Sequence, residues 1–245
     1  MSKIAIITCL LGNDYKDKVF YGTLSKSAYA KINNYSLILG EEDDYDKISA
    51  KNKKCGWLKV YKLLEHYYDY DYIFISDADV CMMNFSIKLE DIIKEHFEKR
   101  TLMLITRDHN NLNSGNLLIK GRDPKMYGYI LQWLKMLPNT ANYNYVGYQE
   151  QPSLIHMILN TEFGKYTKVI DQHIINSYTD DTCHIGSAKY KEGDLLTHYA
   201  GYDIYGIPMK EKIKNDFLKA LHINGLTSSP RISDEELSRF VKIFS

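Results

Sequence analysis

The sequence predicts an α/β protein in which helices flank a mixed, mostly parallel sheet. Apolar runs of strand length alternate along the chain with segments of helical periodicity, which is typical of a sheet covered by helices. The first apolar run, KIAIITCLL, closes on GND, as a buried parallel strand does. A helical stripe follows where Trp57, Val60, Tyr61 and Leu64 recur at the i, i+3, i+4, i+7 spacing.

The first half of the chain divides into strands and helices in turn. Residues from about Tyr15 to Ile32 predict a helix, and YSLILG predicts a second strand. The acidic run from Glu41 to Lys47 is expected to be a solvated loop, because charge runs are usually solvated; a metal-binding segment is the less favoured alternative. The helix with the tryptophan stripe, CGWLKVYKLLEHYY, precedes a strand at Tyr72 to Ser76.

The second half continues the same alternation. Strands are predicted at Thr101 to Thr106 and at Asn116 to Lys120. Asp123 is expected to cap a helix that has Pro124 at its first position and runs to about Leu137. The segment QPSLIHMILN predicts a further helix, and YTKVI and DLLTHYAG predict the last strands.

After Pro208 the chain changes to two helices, and we predict a C-terminal helical extension of the same domain, with residues 1–207 as the main body and 208–245 as the extension. Ser233 and Glu236 have the spacing of a capping box at the start of the second helix. The stripe of Leu237, Phe240 and Val241 needs a partner. Packing back on the same domain is favoured over a dimer contact or a wall of an acceptor site.

Composition excludes several classes of protein. Lys plus Arg and Asp plus Glu both total 31 among 245 residues, so a broad surface for nucleic acid or anionic membrane is not expected. No apolar run reaches the ~18 residues of a membrane helix, and the first residues lack the features of a signal peptide. We therefore expect a soluble, cytoplasmic protein whose four cysteines (Cys9, Cys55, Cys81 and Cys183) are reduced.

The segment YDYIFISDADVCMMN places Asp77 and Asp79 directly after an apolar strand. Side chains two apart on a strand point to the same side, and ligands of open α/β sheets bind beyond the carboxyl ends of strands. Two adjacent carboxylates repel each other, so a cation is their expected partner, and Mg²⁺ and Mn²⁺ suit carboxylate ligands. The alternative is a plain turn in which both aspartates bond to the backbone.

Two classes of enzyme have this D-x-D pattern directly after an apolar strand. In haloacid-dehalogenase-like phosphatases the first aspartate is the nucleophile, but the pattern normally ends the first strand of the core domain. In nucleotide-sugar glycosyltransferases of the GT-A fold it lies mid-chain, after a nucleotide-binding half, and the position of Asp77 favours this class. A third possibility is an inactive module that binds sugar nucleotides or glycans.

Further motifs follow in a specific order along the chain. They are Trp57 and Lys59; Asp77 and Asp79; Asn113 and Gly115; Glu150 and Gln151; Gln172, Asn176 and Tyr178; Gly193, Asp194, His198 and Gly201. At these residues the sequence resembles a family of α-glycosyltransferases that includes fungal α-galactosyl- and α-mannosyltransferases and plant xyloglucan α-xylosyltransferases, and the resemblance covers about residues 3 to 206. Two departures from the family are expected: no membrane anchor, and Tyr202 where the family commonly has cysteine.

The resemblance implies a metal site and a nucleotide site. Asp77, Asp79 and His198 are the implied metal ligands, with Mn²⁺ favoured over Mg²⁺ because one ligand is an imidazole. Asp77 is also expected to reach the ribose or a metal-bound water. Lys59 is expected to approach the diphosphate, although an exposed helix lysine is an equal alternative. Thr8, Leu10 and Gly12, at the end of the first strand, are expected to contact the base of the nucleotide, largely through their backbone, and Tyr15 is expected to stack on it.

The resemblance also implies where the sugar is bound and how it is transferred. Glu150 and Gln151 are the implied catalytic residues, and they are expected to bind the donor sugar together with Asn113, Ser114 and Gly201. A retaining transfer from a UDP-sugar to a glycan or other hydroxyl acceptor is expected, with GDP as the alternative nucleotide. An inverting enzyme would need a carboxylate base, for which Glu150 is the first candidate. The protein is expected to be a monomer or a homodimer.

Overall fold

The computed structural model describes residues 2–46, 56–136, 150–181, 186–202, 206 and 208–245. Its centre is a six-stranded sheet in the order β2-β1-β3-β6-β5-β7, in which β6 runs antiparallel to its two neighbours and the other pairs are parallel. This is the mixed, mostly parallel sheet that the sequence predicts. The strands are β1 Ile4–Cys9, β2 Ser36–Gly40, β3 Tyr72–Ser76, β5 Met103–Arg107, β6 Leu112–Lys120 and β7 Thr167–Ile170.

A second, two-stranded sheet lies over the carboxyl end of the large one. Its antiparallel strands are β4 (Val80–Met82) and β8 (Leu196–His198), and Val80 pairs with His198. The register brings the segment that follows Asp79 against the strand that carries His198. The small sheet therefore ties two distant parts of the chain together beside the end of β3.

Helices cover both faces of the large sheet. Their bounds are α1 Asn13–Lys18, α2 Phe20–Asn33, α3 Glu42–Asp46, α4 Gly56–His66, α5 Leu89–His96, α6 Pro124–Lys135, α7 Gln151–Asn160, α8 Gln172–Ile175, α9 Met209–Ile223 and α10 Asp234–Phe244. Alternation along the strands separates two cores. Ile6 and Phe74 pack with α2 and α9, whereas Ile7 and Ile75 pack with α4, α6 and α7.

The predicted cap of α6 is confirmed, since Asp123 Oδ1 accepts hydrogen bonds from the backbone of Lys125 at 2.9 Å and Met126 at 3.3 Å. The helix ends at Lys135, and the predicted end at Leu137 lies outside the described residues. The predicted helix from Tyr15 to Ile32 is divided at Val19 into α1 and α2.

Two element predictions are wrong. The acidic run forms the short helix α3 rather than a loop, because Glu42 is anchored by hydrogen bonds from Gly12 N and Lys16 Nζ; Lys47 lies outside the described residues. Strand β6 begins at Leu112, not at Asn116, so the polar residues from Asn113 onward lie inside a strand. They are tolerated there because their polar atoms bond to neighbouring side chains.

The C-terminal helices pack against α2. Ser233 Oγ accepts from Glu236 N at 3.2 Å, as a capping residue does. Ser27 Oγ donates to the carbonyl of Phe244, and Phe217 and Phe244 belong to the same apolar cluster as α2. Cys81 is a free thiol among the described residues, and Cys55 and Cys183 lie outside them. Across the described ranges, no helix combines the length and apolar character needed to cross a bilayer.

Candidate active site

A cavity of about 590 Å³ opens where β1 and β3 end, β6 begins and β8 passes. This is the edge of the sheet at which ligands of open α/β folds bind. Most of the residues singled out from the sequence lie in its wall. The lining includes Tyr15, Lys59, Asp77, Asp79, Asn113, Ser114, Glu150, Gln151, His198 and Gly201.

Asp77 and Asp79 follow β3, as predicted, but they lie in a tight turn between β3 and β4, where the alternation of a strand does not apply. Strand β3 ends at Ser76, and Asp77 N donates to Gly115 O at 2.8 Å. The turn, rather than strand alternation, brings the two carboxylates to the same side. The predicted convergence is correct, but the reason given for it from the sequence is wrong.

Helix α2 supports this turn from behind. The fully buried Lys26 Nζ donates to Ala78 O at 3.2 Å and to Val80 O at 2.6 Å, the carbonyls on either side of Asp79. A Cβ on Gly22 would lie 2.9 Å from Val80 O and 3.0 Å from Ala78 O, so glycine is needed for this approach. Burial lowers the pKa of Lys26 to about 8. Lys26 thus holds the shape of the turn without reaching the cavity.

Asp77, Asp79 and His198 each offer a ligand atom within 4.8 Å of the others, and these three residues are called the metal group below. His198 Nδ1 is 2.8 Å from Asn176 Oδ1, and because this oxygen is an acceptor, Nδ1 carries the proton. The lone pair of Nε2 is then free for a cation on the side of Asp79 Oδ1, 3.4 Å away. Two carboxylates and one imidazole are a donor set that fits Mn²⁺.

The electrostatics of the two carboxylates differ. Burial raises the pKa of Asp77 and outweighs the opposing charge of Lys59. Burial also acts to raise the pKa of Asp79, but His198 and Lys26 outweigh it and the pKa is lowered. A divalent cation would favour the ionised form of both carboxylates.

Lys59 joins the metal group to the opposite wall of the cavity. Its ammonium lies 2.8 Å from Asp77 Oδ1 and 2.7 Å from Glu150 Oε1, and it donates to Ser114 O at 2.9 Å. Lys59 is buried, so the alternative of an exposed helix lysine is wrong. Burial acts to lower its pKa, but Asp77 and Glu150 prevail and raise it.

Glu150 and Gln151 are held by Ser114. Ser114 Oγ donates to Glu150 Oε1 at 2.8 Å, and Ser114 N donates to Gln151 Oε1 at 2.8 Å. Burial acts to raise the pKa of Glu150, but the charge and hydrogen bond of Lys59 and the bond from Ser114 lower it. The amide nitrogen of Gln151 makes no hydrogen bond within the described part of the chain, and Gln151 lines the cavity.

The side chain of Asn113 already makes hydrogen bonds to other groups of the protein. Its amide nitrogen donates to Asp108 Oδ2 at 2.9 Å and to Tyr178 Oη at 2.8 Å, and its Oδ1 accepts from Gly115 N at 2.8 Å. Tyr178 also donates to Asp108 at 2.6 Å. A role of Asn113 in binding the donor sugar stays a prediction, and its contacts indicate a positioning role.

The residues proposed to contact the base divide into two groups. Tyr15 lines the cavity, whereas Thr8, Leu10 and Gly12 are absent from its described lining, and contact of all four residues with the base stays a prediction. Cys9 and Leu11 line it instead, because alternate residues of an extended segment face opposite ways.

Lys26 and Asp108 were not among the residues predicted from the sequence. Asp108 directly follows β5, so the signal used for Asp77, an aspartate after an apolar strand, was available for it too. Lys26 had no such signal, because a lysine within a helix gives no sign that it is buried.

The chain is similar in sequence to known glycosyltransferases. Residues 93–205 match the galactosyl transferase GMA12/MNN10 family, a range that contains Glu150 and His198 but not Asp77 and Asp79. An alpha-1,2-galactosyltransferase of Schizosaccharomyces pombe is 23% identical over 217 residues, covering 74% of this chain and 55% of that protein. Glycosyltransferase, the class that the sequence predicts, is the class of these relatives. The chain spans about half the length of the curated relatives it matches.

Two solved structures support the GT-A fold. A glycosyltransferase involved in glycosylation of the major capsid of PBCV-1 superimposes with a TM-score of 0.64 at 14% identity, covering 86% of this chain and 98% of that chain. The galactosyltransferase LgtC, in complex with donor and acceptor sugar analogs, gives a TM-score of 0.54 at 12% identity, covering 96% and 99%. The predicted fold class is confirmed.

Proposed function

We propose that this chain is a metal-dependent glycosyltransferase that moves a sugar from a nucleotide diphosphate donor to a hydroxyl group of a glycan or other acceptor. The observation that carries the proposal is the convergence of Asp77, Asp79 and His198 within 4.8 Å, in the wall of the cavity that also holds Lys59 and Glu150. A UDP-sugar is the favoured donor. Because the curated relatives are alpha-1,2-galactosyltransferases, UDP-galactose is the first donor to test.

Asp77, Asp79 and His198 would hold Mn²⁺, or Mg²⁺ as the alternative. When bound, the cation neutralises charge on the leaving diphosphate. Lys59 adds a permanent positive charge beside Asp77, and its bonds to Asp77 and Glu150 fix the distance between the metal group and the sugar side of the cavity. Tyr15, which lines the cavity, would stack on the base.

Glu150 acts on the sugar in this proposal. Its lowered pKa keeps it ionised, and one of its oxygens is bonded to Lys59 and Ser114. An ionised carboxylate held in this way is a weak base but stabilises positive charge that develops on the sugar. The amide nitrogen of Gln151 can donate a hydrogen bond to a hydroxyl of the sugar or on the side of its ring oxygen. These properties favour retention, in which no carboxylate base opposite the leaving group is required, over inversion.

The activity test is incubation of the protein with MnCl₂ and a panel of UDP- and GDP-sugars, with measurement of free nucleotide. Slow release of UDP that EDTA abolishes supports the proposal. Release of inorganic phosphate from phosphate monoesters would instead support the phosphatase, and release of neither product would support a binding module. The anomeric configuration of a product made from UDP-galactose decides between retention and inversion.

The metal site has its own test in calorimetry with UDP. Binding is expected to be weak in EDTA and tighter with Mn²⁺, and Asp79→Ala is expected to remove this difference. Asp180→Ala is a matched control, because Asp180 is exposed and pairs with Lys189 away from this cavity. Equal UDP affinity with and without Mn²⁺ in the unaltered protein would refute the assignment.

A further inference from the structure

A row of polar side chains crosses the large sheet at its edge behind the metal group. Ile7 pairs with Ile75, so the next position of β1, Thr8, lies beside Ser76 of β3, and Ser76 pairs with Asn116 of β6. Partners in register point to the same face of a sheet. Thr8, Ser76 and Asn116 therefore share the face that packs against α2.

All three side chains are buried and each has an unpaired oxygen. The relative exposure is 1% for Thr8, 1% for Ser76 and 0% for Asn116. Thr8 Oγ1, Ser76 Oγ and Asn116 Oδ1 make no hydrogen bond to any protein group that the structure describes. Unpaired polar atoms are rare in protein interiors, and three aligned on adjacent strands point to a common partner.

The spacing of the row suits water. Adjacent strands lie about 4.8 Å apart, which is beyond direct hydrogen-bond distance for parallel side chains but allows one water between neighbours. A buried water needs about 2–4 polar partners, and two hydroxyls with an amide oxygen supply them. Ser76 also lines the cavity of the candidate active site, so the row lies next to solvent from which water can enter.

A series of hydrogen bonds connects this row of side chains to His198. Asn116 Nδ2 donates to Asn176 Oδ1 at 2.9 Å, the same oxygen that accepts from His198 Nδ1 at 2.8 Å. Asn176 Nδ2 in turn donates to Thr106 Oγ1 at 3.0 Å. With Nδ2 bonded to Asn176, the Asn116 amide oxygen is left unpaired on a residue that is in register with Ser76.

We propose that ordered water binds between Thr8, Ser76 and Asn116 and fixes the Asn116 amide in this orientation. Asn116 and Asn176 are then positioning residues that hold His198 with its proton on Nδ1 and its Nε2 toward the cavity. The water site itself is independent of the proposed transfer activity, whereas its effect on metal binding rests on that proposed function.

A crystal structure of the unaltered protein tests the water site directly. Ordered density within hydrogen-bond distance of Thr8 Oγ1 and Ser76 Oγ, and of Asn116 Oδ1, is the expected result. Side chains rotated to bond one another, with no density between them, would overturn the proposal.

Thr8→Val gives a second measurement because valine has nearly the shape of threonine. If the hydroxyl binds water, the melting temperature falls by about 2–4 °C, and Ser76→Ala adds less in the double variant than it costs alone, because both changes remove the same bridge. An unchanged or higher melting temperature for Thr8→Val would contradict the proposal, since that is the result for a hydroxyl without a partner.

The link to His198 is tested by Mn²⁺ affinity in the presence of UDP. Asn116→Leu keeps the shape of the side chain but removes the donor to Asn176, and a loss of about tenfold in Mn²⁺ affinity is expected. Unchanged affinity would overturn the positioning role. If the unaltered protein binds no Mn²⁺, the proposed function fails, while density and melting temperature still decide the water site.

Discussion

The Lys59 ammonium lies 2.7 Å from Glu150 Oε1, and both side chains are buried. The same ammonium lies 2.8 Å from Asp77, so one cation links the carboxylate assigned to the sugar with one assigned to the metal. Removing one member of a buried pair leaves an uncompensated charge, which costs about 3–5 kcal/mol. Variants at this site must therefore keep shape and hydrogen bonding if chemistry is to be separated from stability.

Glu150→Gln satisfies this requirement. Lys59 keeps its pair with Asp77, and the amide oxygen can still accept from Ser114, so the fold and the UDP affinity are expected to be nearly unchanged. Turnover is expected to fall about a hundredfold, the usual scale for loss of a positioned catalytic group. Steady-state kinetics and calorimetry with UDP measure the two quantities.

Glu162→Gln is the matched control, since Glu162 is exposed and pairs with Lys165. It should leave turnover unchanged. Loss of UDP binding in parallel with turnover in Glu150→Gln would move Glu150 from the sugar to the nucleotide part of the site.

Gly115→Ala should disturb the metal group while keeping the fold. The added Cβ would lie 2.6 Å from His198 Cε1, 2.9 Å from Asn113 Oδ1 and 3.1 Å from Asp77 Oδ2. Two of these neighbours belong to candidate ligands, which must shift. A marked loss of Mn²⁺ affinity is expected in calorimetry, with a circular dichroism spectrum like that of the unaltered protein.

Gly128→Ala in α6 is the control for this change. A Cβ at Gly128 meets no atom within 4 Å, and alanine within a helix stabilises by about 0.5–1 kcal/mol relative to glycine. Its Mn²⁺ affinity should not change. Equal Mn²⁺ affinity for both variants would show that the carboxylates and His198 do not bind the ion together.

The lowered pKa of Lys26 predicts a pH dependence of stability. With a folded-state pKa of about 8 and an ordinary value of 10.5, the unfolded chain binds the proton more tightly, so the contribution of Lys26 to stability rises with pH above about 8. Denaturant unfolding at about pH 7 and about pH 9.5 should show the unaltered protein gaining about 2 kcal/mol relative to Lys26→Met. A difference that does not change with pH would mean that the pKa is not lowered.

The sequence predicted the edge of the sheet at which the site lies better than it predicted the site's internal contacts. Hydrophobic periodicity predicted β3 and α7 with their observed ends, because both elements are bounded by polar or helix-breaking residues. The start of β6 was missed, because Asn113 and Ser114 are polar and their burial depends on partners far along the chain, such as Tyr178 and Gln151.

Contacts with residues far along the chain also explain why the burial of Lys59 could not be predicted from the sequence. A lysine in an amphipathic helix is normally solvated, and its burial here follows from Asp77 and Glu150, which lie on separate elements. The side of β1 that faces the cavity was not predicted either, because it depends on the register of β1 with β3, and contact of Thr8 with the nucleotide stays a prediction. Such register is set by tertiary packing and is weakly encoded in a single strand.

The C-terminal helix α10 provides a matched pair of adjacent residues. Phe244 is 7% exposed within the apolar cluster that includes α2, whereas Ile243 is 57% exposed. Phe244→Ala should destabilise the protein by about 3 kcal/mol, the usual cost of removing a buried aromatic ring, and Ile243→Ala should cost little. Chemical denaturation of both variants measures this difference.

Deletion of residues 209–245 extends this prediction to the whole helical extension. The deletion removes Phe217 and Leu221, which are fully buried, and exposes the face of α2 that they cover, so an insoluble or strongly destabilised protein is expected. A folded truncated monomer from a dimeric parent, seen by light scattering, would instead make the extension a dimer contact. A folded protein that hydrolyses its nucleotide sugar but no longer transfers the sugar would make it a wall of the acceptor site. Either result would contradict the packing role, because a helix that completes the core of its own domain cannot be removed without loss of stability.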